Sequence, residues 1–115
     1  MQERLFAVNQ IFENTLTENK VWSYEFPFPV RLESIKAWAS NDSDATLAVA
    51  DPAVTIVTAG VIGDSGDPLT ISPDDAEVAQ TAANTKITLT LDFDGAGGTA
   101  ADDVEVVAFF KSGEG

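Results

Sequence analysis

Two strand-like runs joined by a loop of small and acidic residues make up the last part of the chain. The first run, over residues 86–93, reads KITLTLDF, and its apolar residues alternate strictly with polar ones. A period of two places alternate side chains on the same side of a β-strand. The pattern therefore predicts a β-structured domain whose sheet buries one face. The residues predicted to share that face are Ile87, Leu89, Leu91 and Phe93.

Similar short runs recur along the chain, separated by clusters of Gly, Pro, Asp and Asn. We expect about seven to nine short strands in an all-β fold, an antiparallel β-sandwich of jelly-roll-like architecture. The apolar phase shifts between Leu32 and Ile35, which are an odd number of positions apart, and this shift predicts a β-bulge. Ser72 before Pro73 and two acids resembles a helix start, so one helical turn is predicted near residues 73–80.

The length of 115 residues suits one domain. Residues 1–20 are interpreted either as an N-terminal arm or as the first strand. We expect residues 21–111 to form the β-sandwich domain and residues 112–115 to be a flexible tail.

The chain contains neither cysteine nor histidine. Thiol nucleophiles, disulfides, imidazole bases and metal sites built on these side chains are therefore excluded. We expect no catalytic residue, no cofactor and no metal, and hence a protein that is not an enzyme. No signal peptide or membrane-spanning stretch is expected either.

The net charge of −13 is unevenly distributed along the chain. Residues 1–40 hold five acids and four bases, whereas residues 41–115 hold fourteen acids and two bases. Such a chain should avoid nucleic acid and anionic membranes, whose binding depends on Lys and Arg. One interpretation is solubility alone; the other is that the near-neutral N-terminal part meets a partner while the acidic part faces solvent.

Three sets of residues have both a structural and a functional interpretation. Asp92, Asp94 and Asp103 have part of the spacing of an EF-hand loop, but the fifth position is Ala96 and the flanks are strand-like, so a plain hairpin loop is favoured over calcium binding. The second set is Asp42, Asp44 and Asp51, and the preference of turns for aspartate explains it. For the third set core packing is favoured over a sugar-stacking platform. Its members are Trp22, Tyr24, Phe26, Phe28 and Trp38.

The N-terminal run is the best candidate for contact with a partner. An edge strand or an arm can add its backbone groups to another sheet, although the run can equally be the first strand of the domain. The candidate contact residues are Arg4, Leu5, Phe6, Val8, Ile11 and Phe12.

Several segments resemble those of small tailed-phage proteins of the head decoration (cement) family. They are residues 32–39 (LESIKAWA), 44–49 (DATLAV), 54–60 (VTIVTAG) and 95–107 (GAGGTAADDVEVV). The resemblance covers roughly residues 21–111 and includes no catalytic motif.

The resemblance implies a bacteriophage virion protein without enzymatic activity. Its expected place is the outer surface of the head, after assembly in the host cytoplasm. Its expected partner is the major capsid protein, whose neighbouring subunits it would bridge, and its expected state is a homotrimer. A carbohydrate-binding β-sandwich module, a phage tail or neck component and a calcium-dependent adhesion module are the alternative interpretations.

Overall fold

A computed structural model describes residues 4–52, 55–64, 68–71 and 81–112. These residues form nine β-strands and no helix, which confirms the all-β fold class. The helical turn predicted near residues 73–80 lies outside the described residues. No helix within the described ranges is long and apolar enough to cross a membrane. The strands are β1 (Arg4–Thr15), β2 (Lys20–Glu25), β3 (Val30–Ala39), β4 (Thr46–Ala50), β5 (Thr55–Val61), β6 (Gly63–Asp64), β7 (Leu69–Ile71), β8 (Lys86–Asp92) and β9 (Asp102–Ser112).

The strands form two sheets. The first has the order β1-β9-β3-β6, with β7 also paired to β3, and the second has the order β2-β8-β4-β5. All pairs are antiparallel except the short β3–β6 pair. If β6 and β7 are taken as two pieces of one sheet position, this is the strand order of a jelly roll, in which a folded-over ribbon forms two Greek keys. The jelly-roll-like sandwich is therefore confirmed.

The core lies between the sheets and follows the predicted alternation. Ile87, Leu89 and Leu91 are at most 1% exposed, while Phe93 is half-buried and packs against them. Phe110 of β9 is fully buried. Burial of apolar area at roughly 25 cal/mol per Å² is the main force that holds two such faces together.

The β-bulge predicted in β3 is confirmed. Leu32 lies opposite Phe110 and Ser34 lies opposite Phe109, so Glu33 is the extra residue. Because the bulge absorbs one residue, both Leu32 and Ile35 point into the core, at 3% and 0% exposure.

Gly63 and Asp64 form the short strand β6 because they pair with the end of β3. One prediction was wrong in detail. Trp38 does not join the other aromatic residues in the core. It lies between the buried Ala37 and Ala39, so the alternation of β3 turns it to the outside, where it is half-buried.

Candidate functional site

The outer face of the first sheet is the candidate interaction surface. It is made by the side chains of β1, β9 and β3 that alternate with the buried ones. Residues directly opposite each other in antiparallel strands share a face, so the pairing register fixes its rows. From one side to the other these rows are Leu5–Lys111–Arg31, Ala7–Phe109–Ser34, Asn9–Val107–Lys36 and Ile11–Glu105–Trp38.

Apolar side chains run across this outer face. Phe109, Val107 and Trp38 are half-buried in its middle and on its β3 side. Leu5 and Ile11 lie on β1 and are 61% and 53% exposed. Single exposed apolar residues are common, but a contiguous group on one face is typical of an interaction site.

The charge of this face differs from that of the rest of the chain. It holds three of the six bases, Arg31, Lys36 and Lys111, and four acids, Glu13, Glu33, Asp103 and Glu105, a balance of −1. The remaining three bases and fifteen acids give −12. Arg31 Nε lies 3.8 Å from Glu33 Oε2, at the long end of the range for an ion pair, and because both side chains are partly exposed to solvent this pair adds little stability.

The outer face of the second sheet has a different composition. Thr88 and Thr90 of β8 lie beside Ala48 and Ala50 of β4, so small and hydroxyl side chains dominate its centre. Its large exposed apolar residues, Val21 and Val61, lie on the two edge strands β2 and β5. The two outer faces therefore differ, and the first sheet presents the more apolar surface.

The sequence-predicted contact residues divide between the two sides of β1. Leu5 and Ile11 point outwards, whereas Phe6, Val8 and Phe12 point inwards and pack against the core. Arg4 lies at the start of β1, opposite Ser112. The twelve-residue strand β1 pairs with β9 over most of its length, so residues 4–15 are part of the sandwich.

Aromatic side chains close the open side of the sandwich between the edge strands β1 and β2. The Phe6 ring lies 5.4 Å from that of Phe28 and 6.0 Å from that of Phe26, and the Phe12 and Trp22 rings are 5.2 Å apart. The prediction that Trp22, Tyr24, Phe26 and Phe28 pack with the core is confirmed.

The aspartates near the start of β9 serve as backbone acceptors. Asp103 Oδ1 accepts from Asn14 N at 2.7 Å, and Asp94 Oδ1 accepts from Ala96 N at 3.1 Å. Asp44 Oδ2 accepts from Thr99 N at 2.7 Å, which ties the β3–β4 loop to the β8–β9 loop. Within the described ranges no group of three or more acids is arranged to hold a metal ion.

Asp51 does not belong with Asp42 and Asp44. Residues 46–50 form β4, so Asp51 lies at the opposite end of that strand from Asp44. Its carboxylate accepts from Thr81 Oγ1 at 3.1 Å. The three residues therefore do not form one site, and they take the turn and loop roles that their residue types predict.

Sequence reasoning missed the half of the surface that lies on β9 and β3. The signal was present in residues 104–111 (VEVVAFFK), where apolar residues occupy both alternating rows. Val104, Val106, Ala108 and Phe110 are the buried row, which leaves Val107 and Phe109 on the outside. A strand that is apolar on both faces indicates a second contact.

Comparisons of the chain with protein-family models, with curated proteins and with solved structures give no match.

Proposed function

We propose that the protein is a non-enzymatic phage virion protein, a capsid decoration protein that binds the outside of the head. In this role the outer face of the first sheet contacts neighbouring subunits of the major capsid protein and bridges them. The resemblance of residues 21–111 to tailed-phage cement proteins supports the proposal. So does the jelly-roll order, which is common in capsid-associated domains, although a fold does not by itself imply a function.

The observation that carries the proposal is the contrast between one face and the rest of the molecule. The outer face of the first sheet has a charge balance of −1 and exposes Leu5 and Ile11, while the remaining residues sum to −12. We expect such a molecule to bind through its more apolar and nearly neutral surface, because burying that surface removes apolar area from water. The acidic remainder stays in solvent and keeps copies apart elsewhere.

Binding of this kind stabilises a shell by mass action. A ligand that binds only the closed lattice favours it by RT ln(1 + [L]/Kd) for each site. Many copies on one symmetric shell add their contributions. Modest affinity for each copy is therefore sufficient, and no bond-breaking chemistry is needed.

Co-sedimentation with purified expanded capsids that lack this protein tests the proposal. The unaltered protein should pellet with the shells. Lys36→Glu, at an exposed position of the proposed contact, should reduce the bound fraction, because it reverses a charge there. Lys86→Glu makes the same change at an exposed position of the second sheet and should bind normally.

Thermal melting of both variants shows whether each remains folded. If the unaltered protein fails to co-sediment, the decoration role is wrong. If Lys86→Glu weakens binding as much as Lys36→Glu does, the contact has been assigned to the wrong face. Binding to tail or neck assemblies in place of shells would move the protein to another position in the virion.

A further inference from the structure

Three of the four edge positions of the two sheets carry features that prevent pairing with another strand. β2 has Lys20 and Glu25 at its ends and Pro27 just beyond. β5 pairs with β4 through two register irregularities. At the edge of the first sheet next to β3 lie two short strands, β6 and β7, which are two and three residues long. Charges, prolines, bulges and short strands are the usual means by which natural sheets protect their edges.

The remaining edge, β1, has none of these features over most of its length. Residues 5–12 read LFAVNQIF, with no charge, proline or glycine. They pair with β9 in unbroken register, and the only irregularity comes after Phe12. Among the described residues, no other strand pairs with the free side of β1. A long, regular, uncharged edge offers a row of backbone donors and acceptors to a further strand.

We propose that β1 pairs in antiparallel orientation with β1 of a second copy of this chain, so that the first sheets of two molecules become one continuous sheet. A strand that pairs antiparallel with itself satisfies two-fold symmetry, and the contact is then isologous. The alternation of β1 restricts the register, because outward residues must lie opposite outward residues.

The register centred on Val8 satisfies this restriction. It places Leu5 opposite Ile11 of the second copy, and Ala7 opposite Asn9 of the second copy. The two exposed apolar side chains of β1, at 61% and 53%, then become cross-strand neighbours and lose exposed area. Centring the register on Asn9 would instead place Leu5 opposite Glu13, which buries less apolar area.

A second copy fits this edge better than an unrelated strand does, because the edge is self-complementary. No charge within residues 5–12 opposes the contact. The acids on the rest of each molecule oppose it only through screened, long-range repulsion. Edge pairing of this type gives a dimer, in place of the trimer that the family resemblance implies, because a closed trimer needs two different surfaces on each copy. The inference does not depend on binding to a shell.

Sedimentation equilibrium of the full chain across the micromolar range tests the pairing. The expected species has twice the chain mass of 12.2 kDa, and salt should favour it by screening the repulsion between acidic bodies. The test variant is Ala7→Lys with Asn9→Lys. Both positions are exposed, and the proposed register sets these lysines opposite one another twice in each dimer. Like charges directly opposite are unfavourable, so the dissociation constant should rise by about tenfold or more.

Ser23→Lys with Thr90→Lys is the matched control. It adds the same charge at exposed positions of the second sheet and should leave the dimer intact. Thermal melting checks the fold of both variants. If the double variant is unfolded, Leu5→Lys with Ile11→Lys replaces it, because the proposed register also sets these two exposed positions opposite one another.

Hydrogen exchange locates the contact. In the dimer, the alternate β1 amides that point away from β9 should become protected as the concentration rises, and the lysine variant should lose that protection. A protein that stays monomeric, a trimer, a dimer that the lysines leave intact, or a dimer whose outward β1 amides exchange freely would each overturn the proposal.

Discussion

Replacing Gly95 with alanine should loosen the contact between the β8–β9 loop and the β3–β4 loop. Gly95 has a φ of +65°, in the left-handed region. A Cβ atom built there would meet the carbonyl oxygen of Asp44, a backbone atom that cannot rotate away. The two loops must therefore move apart, which weakens the two hydrogen bonds between Asp44 and Thr99. Asp44 N donates to the carbonyl oxygen of Thr99 at 2.9 Å, and Thr99 N donates to the carboxylate of Asp44 at 2.7 Å.

The expected loss of stability has two parts. The left-handed conformation costs an alanine about 1 to 2 kcal/mol. Loss of the two hydrogen bonds costs about 1 kcal/mol each. The free energy of unfolding should therefore fall by about 3 to 4 kcal/mol, which lowers the melting temperature by about 12 to 16 °C at roughly 4 °C per kcal/mol for a domain of this size.

Two neighbouring glycines separate these contributions. Gly97 has a φ of +106° and no heavy atom within 4 Å of a built Cβ, so Gly97→Ala tests the conformational cost alone, about 1 to 2 kcal/mol. A Cβ atom at position 98 would meet the carboxylate of Asp44, which can rotate, and, at 2.8 Å, the Cβ of Asp44, which is fixed to the backbone. Gly98→Ala should therefore cost more than the roughly 1 kcal/mol of one lost hydrogen bond. Urea unfolding followed by tryptophan fluorescence measures all three. If Gly95→Ala destabilises the protein no more than Gly97→Ala does, the loop contact is not as described.

Two further predictions concern the bulge and the aspartate loop. Deleting Glu33 should leave a folded protein and cost less than about 2 kcal/mol, because Leu32, Ser34 and Ile35 then alternate without the extra residue. Deleting Lys36 should abolish the melting transition, because residues on one side of the deletion would turn their buried side chains towards solvent. Equal stability of the two deletion variants would contradict the assigned register. Calcium should leave the melting temperature unchanged relative to a chelator, because Asp103 already accepts a backbone bond and no metal cluster exists among the described residues; a rise of several degrees would show binding to the folded state.

The alternation of apolar and polar residues within single strands allowed much of the fold to be predicted. The alternation of β8 identified Ile87, Leu89 and Leu91 as an inward row. The odd spacing of Leu32 and Ile35 located the bulge. These predictions succeeded because a strand's two faces are defined by neighbouring residues alone.

The same local pattern could not identify the candidate surface. The residue type of Trp38 suits a core, so the local pattern groups it with the core aromatic residues. Its outward position follows from the buried Ala37 and Ala39, two small residues that carry a weak apolar signal. Phe109 was likewise ambiguous, since β9 is apolar on both sides and periodicity cannot say which row is buried.

The sequence by itself determined the class of fold, an acidic β-sandwich without thiol or imidazole chemistry, because composition and a period of two are properties of the chain alone. Only the tertiary structure decided that β1 lies at an edge and that Leu5, Val107 and Phe109 share one outer face. The physical reason is that strand neighbours are non-local. Phe6 pairs with Phe110 at the far end of the chain, and no local pattern specifies that partner.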